Sequence, residues 1–258
     1  MKKISILILL TVILLTFSAC GDEMVLDSAS DLAALRVGAV SSTAGETYAA
    51  NCGSEAVSVF ATVEEAVEAL VAGEIDCIIT DLNTAKDVAS NRDDVTNTKT
   101  RIIQDTDWCA AVRSADFDSL AVAEVVSAEV HKETNFSKLC RGFIENTGED
   151  RDAFITADQI GSSGTFTLGT TADYPPYAYL TEDGKAAGIS VEYAKRYAQK
   201  RDQTLEIKIY ENDSELSKAL KSGEIDMYFE QLPVPAVPGI TYSTTCYTVE
   251  LRVLIADN

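Results

Sequence analysis

Ala69-Leu70-Val71-Ala72-Gly73-Glu74-Ile75-Asp76 returns 150 residues later as Ala219-Leu220-Lys221-Ser222-Gly223-Glu224-Ile225-Asp226, with six of eight positions identical. Each copy reads as the end of a helix, a glycine stop and the start of a buried strand, at 75–80 and at 225–230. One such junction is ordinary. Two in a chain of 258 residues imply two lobes of like design, with a cleft between them of the kind that holds small ligands. The period is longer than the roughly 20–50 residues of stacked repeats, so a lobe is duplicated and not a solenoid unit.

Working outward from the first copy, 35–40 reads as a strand, and Ser41-Ser42-Thr43-Ala44-Gly45 turns it into a helix that runs to residue 51. Thr62 and Glu65 have capping-box spacing and open the helix that Gly73 closes. The strand at 75–80 runs into Asp81, followed by a polar helix at 83–91, strands at 100–105 and 108–113, and helices at 118–131 and 134–145. Residues 146–163, rich in Gly, Ser, Asp and Glu, read as a linker. The pattern then restarts with a strand at 165–170, a helix at 188–201 and an alternating strand at 204–210. Asn212 and Glu215 cap the helix that Gly223 ends, strand 225–230 enters the proline-rich stretch 232–239, and a last strand covers 250–256. Strands alternating with helices predict an α/β fold with largely parallel sheets, in which ligands sit beyond the C-terminal strand edges. Ser41–Gly45, Asp81, Thr171–Tyr177 and Glu230–Gln231 fall in that region.

Composition bounds the rest. Lys2 and Lys3, an apolar run at 4–17 and Ser18-Ala19-Cys20 describe a secretory signal, shorter than the roughly 20 apolar residues of a membrane span. The cysteine after the small residues resembles a bacterial lipoprotein signal with Cys20 as the lipidated first residue. Phe17 stands where that motif usually has Leu, and a plain signal cut near Ala19 is the alternative. With 41 acidic against 21 basic residues, the chain is unsuited to nucleic acid or to an anionic membrane surface. Five cysteines remain after Cys20, irregularly spaced and without a CxxC, which argues against zinc, and no metal or cofactor is expected. An odd count leaves at least one thiol free, and Cys77 and Cys109 lie in apolar, strand-like runs that bury them. His131 is the single histidine and lies on an amphipathic helix, so a Cys–His or Ser–His nucleophile is hard to assemble.

The run 168–177, Leu-Gly-Thr-Thr-Ala-Asp-Tyr-Pro-Pro-Tyr, followed by 183–192, Asp-Gly-Lys-Ala-Ala-Gly-Ile-Ser-Val-Glu, resembles the opening of family 3 solute-binding proteins. These are extracytoplasmic amino-acid receptors of ABC importers. The second octapeptide continues the likeness, and 241–255 resembles the family's crossover strand. Residues 31–38, 43–48, 73–81 and 108–113 resemble its second lobe, which here comes first. The resemblance implies a two-lobed periplasmic-binding-protein-like fold of type II in circularly permuted order. The expected division is a signal peptide at 1–19, a tether at 20–30, one lobe from 31–107 plus 247–258, and the other from 108–246 including the 146–163 linker. Two incomplete copies joined as a dimer are the alternative to permutation. The implied protein is a lipid-anchored, monomeric lipoprotein outside the bacterial membrane. It would capture an amino acid or related amine by hinge closure and pass it to an ABC permease, with no chemistry of its own.

The resemblance also implies site residues. Thr43 and its neighbours supply a helix N-terminus suited to a carboxylate, and Asp81 matches an aspartate that pairs with an ammonium. Tyr174 matches a stacking aromatic, and Tyr177 supports it or lines the cleft. Plainer roles stand beside these: a helix cap for Ser41–Gly45 and for Asp81, core for Tyr177, and a turn-shaping role for Asp173, which is left out of the site. The family's carboxylate-clamping arginine is missing from 230–238, where Pro233 also replaces a hydroxyl donor. Glu230 instead puts a carboxylate beside Gln231, and Asp213 occupies a place often aromatic, where helix capping also explains it. A cleft with two or three acids predicts a cationic ligand such as a basic amino acid, a polyamine or a betaine-like amine. The rivals are a degenerate or signalling member of the fold, or a dehydratase-like enzyme with Glu230 as general acid.

Overall fold

The computed structural model describes residues 26, 28–98, 104–233 and 236–257. The expected signal peptide, Cys20, most of the tether and most of the expected strand at 100–105 lie outside the described residues. The first run of elements is β1 (Arg36–Val40), α1 (Ala44–Ala49), β2 (Ala56–Phe60), α2 (Val63–Val71), β3 (Cys77–Asp81), α3 (Leu82–Asn91) and β4 (Val95–Asn97). Next come β5 (Asp105–Arg113), α4 (Phe117–Val130), α5 (Thr134–Glu145) and α6 (Gly148–Asp152). The second run is β6 (Thr165–Thr170), a small sheet of β7 (Asp173–Tyr174), β8 (Ala178–Leu180) and β9 (Ala186–Ala187), then α7 (Ile189–Lys200), β10 (Thr204–Ile209), α8 (Asp213–Ser222), β11 (Tyr228–Leu232) and β12 (Ile240–Ala256).

The strands fall into two runs of the same order. In the first, β2, β1 and β3 are parallel neighbours and the C-terminal part of β12 runs antiparallel between β3 and β4. In the second, β10 pairs parallel with β6, and β6 meets the start of β11 through the Leu168–Met227 bridge. There β5 takes the antiparallel place, between β11 and the N-terminal part of β12. The fold is therefore two-lobed α/β, and β12 is shared: Ile240–Glu250 pairs with β5, and Leu251–Leu254 with β3.

The repeated octapeptide folds the same way twice. Gly73 and Gly223 adopt the left-handed backbone, φ 70° and 81°, that lets a helix stop without a side-chain clash. The next amides reach back alike: Glu74 N–H donates to Ala69 O and Glu224 N–H to Ala219 O, both 2.9 Å. Asp76 then brackets the first strand, donating its N–H to Arg36 O at 2.8 Å and accepting Arg36 N–H at 2.7 Å. Asp226 repeats this with Thr167, at 2.8 and 2.9 Å. The capping expectations hold as well, since Thr62 Oγ accepts from Glu65 N–H and Asn212 Oδ1 from Glu215 N–H.

Strand alternation builds cores on both faces. Val37, Ala39, Cys77, Ile79, Leu251 and Val253 form one layer, whereas Ile78 and Leu254 face the larger core that reaches Phe143 and Tyr193. Ala111, Leu220, Ile225 and Tyr228 close a third cluster under α8. The cysteines at 52, 77, 109, 140 and 246 are free, and burial pushes the thiols of Cys77, Cys109 and Cys140 up to about 12.

Several local features differ from the sequence pattern, among them β11, which begins at Tyr228 and not at 225, and helix α6 inside the expected linker. The last strand is 17 residues long and not confined to 250–256, as the crossover-strand resemblance implied. Edge strand β2 lies outside the expected strands although Val57 and Val59 alternate in strand fashion; Ala56–Phe60 is largely exposed. Strand β5 begins at Asp105, before the expected 108. The 146–163 segment is pinned, not loose. Arg151 is buried in an ion pair with Asp87, its Nε donates to Phe143 O at 3.0 Å and Asn146 O at 2.8 Å, and its guanidinium lies over the Tyr179 ring. Farther along, Thr156 N–H and Oγ donate to Glu192, and Lys195 Nζ donates to Thr156 O at 2.8 Å.

Candidate functional site

The C-terminal ends of β1, β6 and β11 open onto a cavity of about 390 Å³, lined also by the turns that start α1 and α8. Trp108, Tyr174, Tyr228 and Phe229 give it an aromatic wall. Four carboxylates line it, from Asp173, Glu211, Asp213 and Glu230, and no lysine, arginine or histidine is among its described lining residues. Glu230 Oε2 accepts hydrogen bonds from Tyr228 (3.1 Å) and Tyr242 (2.6 Å). Burial raises the Glu230 carboxyl above its ordinary value; the two tyrosine hydroxyls oppose the rise and nearby Asp213 adds to it. Burial likewise raises Asp213, opposed by a hydrogen bond from Ser42 and reinforced by Asp173 and Glu46.

The six expected ligand residues divide by position. Thr43, Tyr174, Glu230 and Gln231 line the cavity. Asp81 and Tyr177 do not; they lie behind its wall, both almost fully buried. Asp81 closes β3 and caps α3, accepting from Asn83 N–H (3.0 Å), Thr84 N–H (3.1 Å) and Thr84 Oγ (2.9 Å). It also accepts from the Tyr177 hydroxyl at 2.9 Å and from Gln231 Nε2 at 3.3 Å. Burial raises its carboxyl, and the donors from Thr84, Tyr177 and Asn83 pull it back. Tyr177 stacks on Trp108 at 4.2 Å between ring centroids, while the Tyr174 hydroxyl meets Thr80 Oγ at 3.0 Å. Burial drives both phenols well above the ordinary tyrosine value.

Thr43 is a cap. Its Oγ donates to Val40 O at 2.7 Å and accepts Glu46 N–H at 3.3 Å. Gly45 lets α1 sit directly on β3, for a Cβ there would lie 2.4 Å from Ile79 O. Gln231 spans the two lobes. Its Oε1 accepts Ala44 N–H from α1 at 3.1 Å, and its Nε2 points to Asp81.

Trp108, Asp173, Glu211, Asp213, Tyr228 and Phe229 line the cavity but are absent from the expected set. Trp108 is the chain's single tryptophan and opens the apolar half of β5, which is the available signal. Asp173 has the expected turn-shaping contact, its Oδ1 accepting from Thr171 Oγ at 2.5 Å, and the residue also lines the cavity.

Residues 166–235 match the family model of bacterial extracellular solute-binding proteins, family 3. A cyclohexadienyl dehydratase of Pseudomonas aeruginosa is 45% identical over 42 residues, a stretch that is 16% of this chain and 16% of that protein. The chain is also similar to two solved structures. An amino acid ABC transporter substrate-binding protein, AbpA from Streptococcus pneumoniae, bound to L-arginine, is 12% identical with a TM-score of 0.41, covering 86% of this chain and 81% of that one. Full-length CbnR in complex with its target DNA is 13% identical with a TM-score of 0.43, covering 86% and 63%.

Proposed function

We infer that the chain is an extracytoplasmic solute-binding lipoprotein, anchored through Cys20, that captures a small amine between its lobes and delivers it to an ABC permease in the membrane. The observation that carries this reading is the cavity itself, which has an aromatic wall, four carboxylates and no cationic side chain among its described lining residues. A cation gains there from ion pairing with half-buried carboxylates and from the aromatic faces. The match of 166–235 to an extracellular solute-binding family supports it. Among the described residues no helix is long and apolar enough to cross a membrane.

The lobes are read as 31–107 with 247–258, and 108–246; the change of β12 from β5 to β3 as partner after Glu250 supports that reading. Joining the two strand runs in the reverse order gives the family's usual sequence, so the chain is read as a circular permutation acting as a monomer. A variant that starts at Thr165 and links residue 257 to residue 28 keeps the fold and the binding if this is right; loss of cooperative unfolding in that variant contradicts it. Closure follows ligand only as far as the ligand prefers the closed form.

Thermal unfolding of the mature chain against amines and amino acids tests the function. A ligand at 100 times its Kd adds about 2.7 kcal/mol, worth roughly 2–4 °C per kcal/mol in a chain of this size. No shift with any member contradicts solute capture. The 42-residue likeness to a dehydratase and the raised carboxyl of Glu230 favour one second reading, general-acid catalysis on a small acid. Against it stands the lack of any cationic group in the described wall to hold an anionic substrate. Product formed from candidate acids, and lost in Glu230→Gln, would establish it.

A further inference from the structure

A free α-amino acid needs two stations, donors for its carboxylate and an acceptor for its ammonium. Both kinds of group lie behind this cavity, and the chain fills them itself. Around the start of α1, Ala44 N–H is taken by Gln231 Oε1 at 3.1 Å, Glu46 N–H by Thr43 Oγ at 3.3 Å, and Ser42 N–H by Glu46 Oε2 at 2.7 Å. The carboxylate of Asp81 has five donors, one of them Gln231 Nε2 at 3.3 Å. One carboxamide thus puts its acceptor end on the helix N–H and its donor end on the buried aspartate. That is the neutral counterpart of a carboxylate and an ammonium carried on one carbon.

We propose that Gln231 stands in for the backbone end of an amino-acid ligand, so that the cavity in front of it takes a small cation without a carboxylate: a diamine, a guanidino-amine or an amino alcohol. This deepens the solute-binding reading and rests on it. An incoming carboxylate would meet Asp173, Glu211, Asp213 and Glu230 with no lysine, arginine or histidine among the described lining residues to receive it. An ammonium meets the same carboxylates with the favourable sign, and its apolar stem lies along Tyr174 and Phe229. Trp108 also lines the cavity and is 8% exposed, and its buried indole N–H has no hydrogen-bond partner among the described residues.

Matched pairs that differ by one carboxylate test the inference by calorimetric titration of the full mature chain: lysine and cadaverine, ornithine and putrescine, arginine and agmatine, serine and ethanolamine. The expected result is that at least one amine binds, and that it binds about tenfold or more tighter than its parent acid, because like charges facing across the site oppose the acid. In Gln231→Met, which withdraws the amide from both stations, frees Ala44 N–H and keeps the side-chain volume, the parent acids gain and the gap narrows. A parent acid that binds the unsubstituted protein as tightly as its amine overturns the inference and leaves solute capture standing. A gap unchanged in Gln231→Met overturns the role of Gln231, provided the variant unfolds cooperatively; Gln231→Leu repeats the test if it does not. Failure of all eight compounds to bind overturns both the inference and the proposed function.

Discussion

Strands β3 and β11 hold equivalent places in the two lobes, and the spacing that separates the octapeptides also separates Asp81 from Gln231 at their ends. The segments beyond these strand ends differ. Leu82-Asn83-Thr84-Ala85 continues as a helix, and its first N–H groups turn Asp81 inward as a cap. Leu232-Pro233 does not, since proline disfavours helix in the residue before it and lacks the N–H that Asn83 gives to Asp81. Freed from capping, the Gln231 side chain reaches the other lobe. One place earlier, Thr80 bonds to Tyr174 while its counterpart Glu230 brings a carboxylate into the cavity. The repeated junction fixes the architecture, and the residues just after it decide whether a strand end serves its own lobe or the space between lobes.

Replacing the two strand ends breaks the comparison most directly. Asp81→Ala leaves several buried donors without an acceptor and lowers stability by about 3 kcal/mol in chemical denaturation. A loss under about 1 kcal/mol would mean that Asp81 is not the structural cap of its lobe. Gln231→Ala removes one bridging amide and lowers stability by only about 1–2 kcal/mol. The double variant falls short of the sum by about 0.5 kcal/mol or more, since the two side chains are in contact; strict additivity would deny the bridge.

The raised carboxyls of Glu230 and Asp213 set two pH trends of opposite sign. A carboxyl raised on folding stabilises the empty protein at low pH, and that contribution is lost as pH climbs through its folded value, above the ordinary carboxylate range. An ammonium ligand prefers the ionised form, so its affinity falls as pH drops through the same window. Titrations at about pH 7.5 and about pH 5 are expected to show weaker amine binding in acid and proton release on binding. Both trends flatten in Glu230→Gln. The smallest expected effect concerns the parts that are alike. Asp76→Ala and Asp226→Ala each remove the side-chain half of the bracket on a first strand and lower Tm by similar amounts, about 2–4 °C. Unequal losses would show that the copies bear different loads.

Much of this was legible in the sequence because it is local. Glycine stops, capping spacings and strand alternation involve neighbours in the chain, and β6, α5 and α7 fall within a residue or so of their expected bounds. The carboxylates at 213 and 230 were visible as departures from a familiar pattern. Contacts across the lobes were not legible. Nothing near Gln231 signals that its amide meets Ala44 and Asp81, and nothing near Arg151 signals Asp87. Asp81 and Tyr177 carried their expected side chains to a layer behind the cavity, a depth that strand periodicity does not encode.

A crystal structure of the protein grown with cadaverine or agmatine tests the central claim most directly. The account predicts ammonium or guanidinium nitrogens within hydrogen-bond distance of Glu230 and Asp213, with Gln231 still joining Ala44 to Asp81. A ligand carboxylate at the start of α1 with the Gln231 side chain displaced, obtained with lysine under the same conditions, would contradict it.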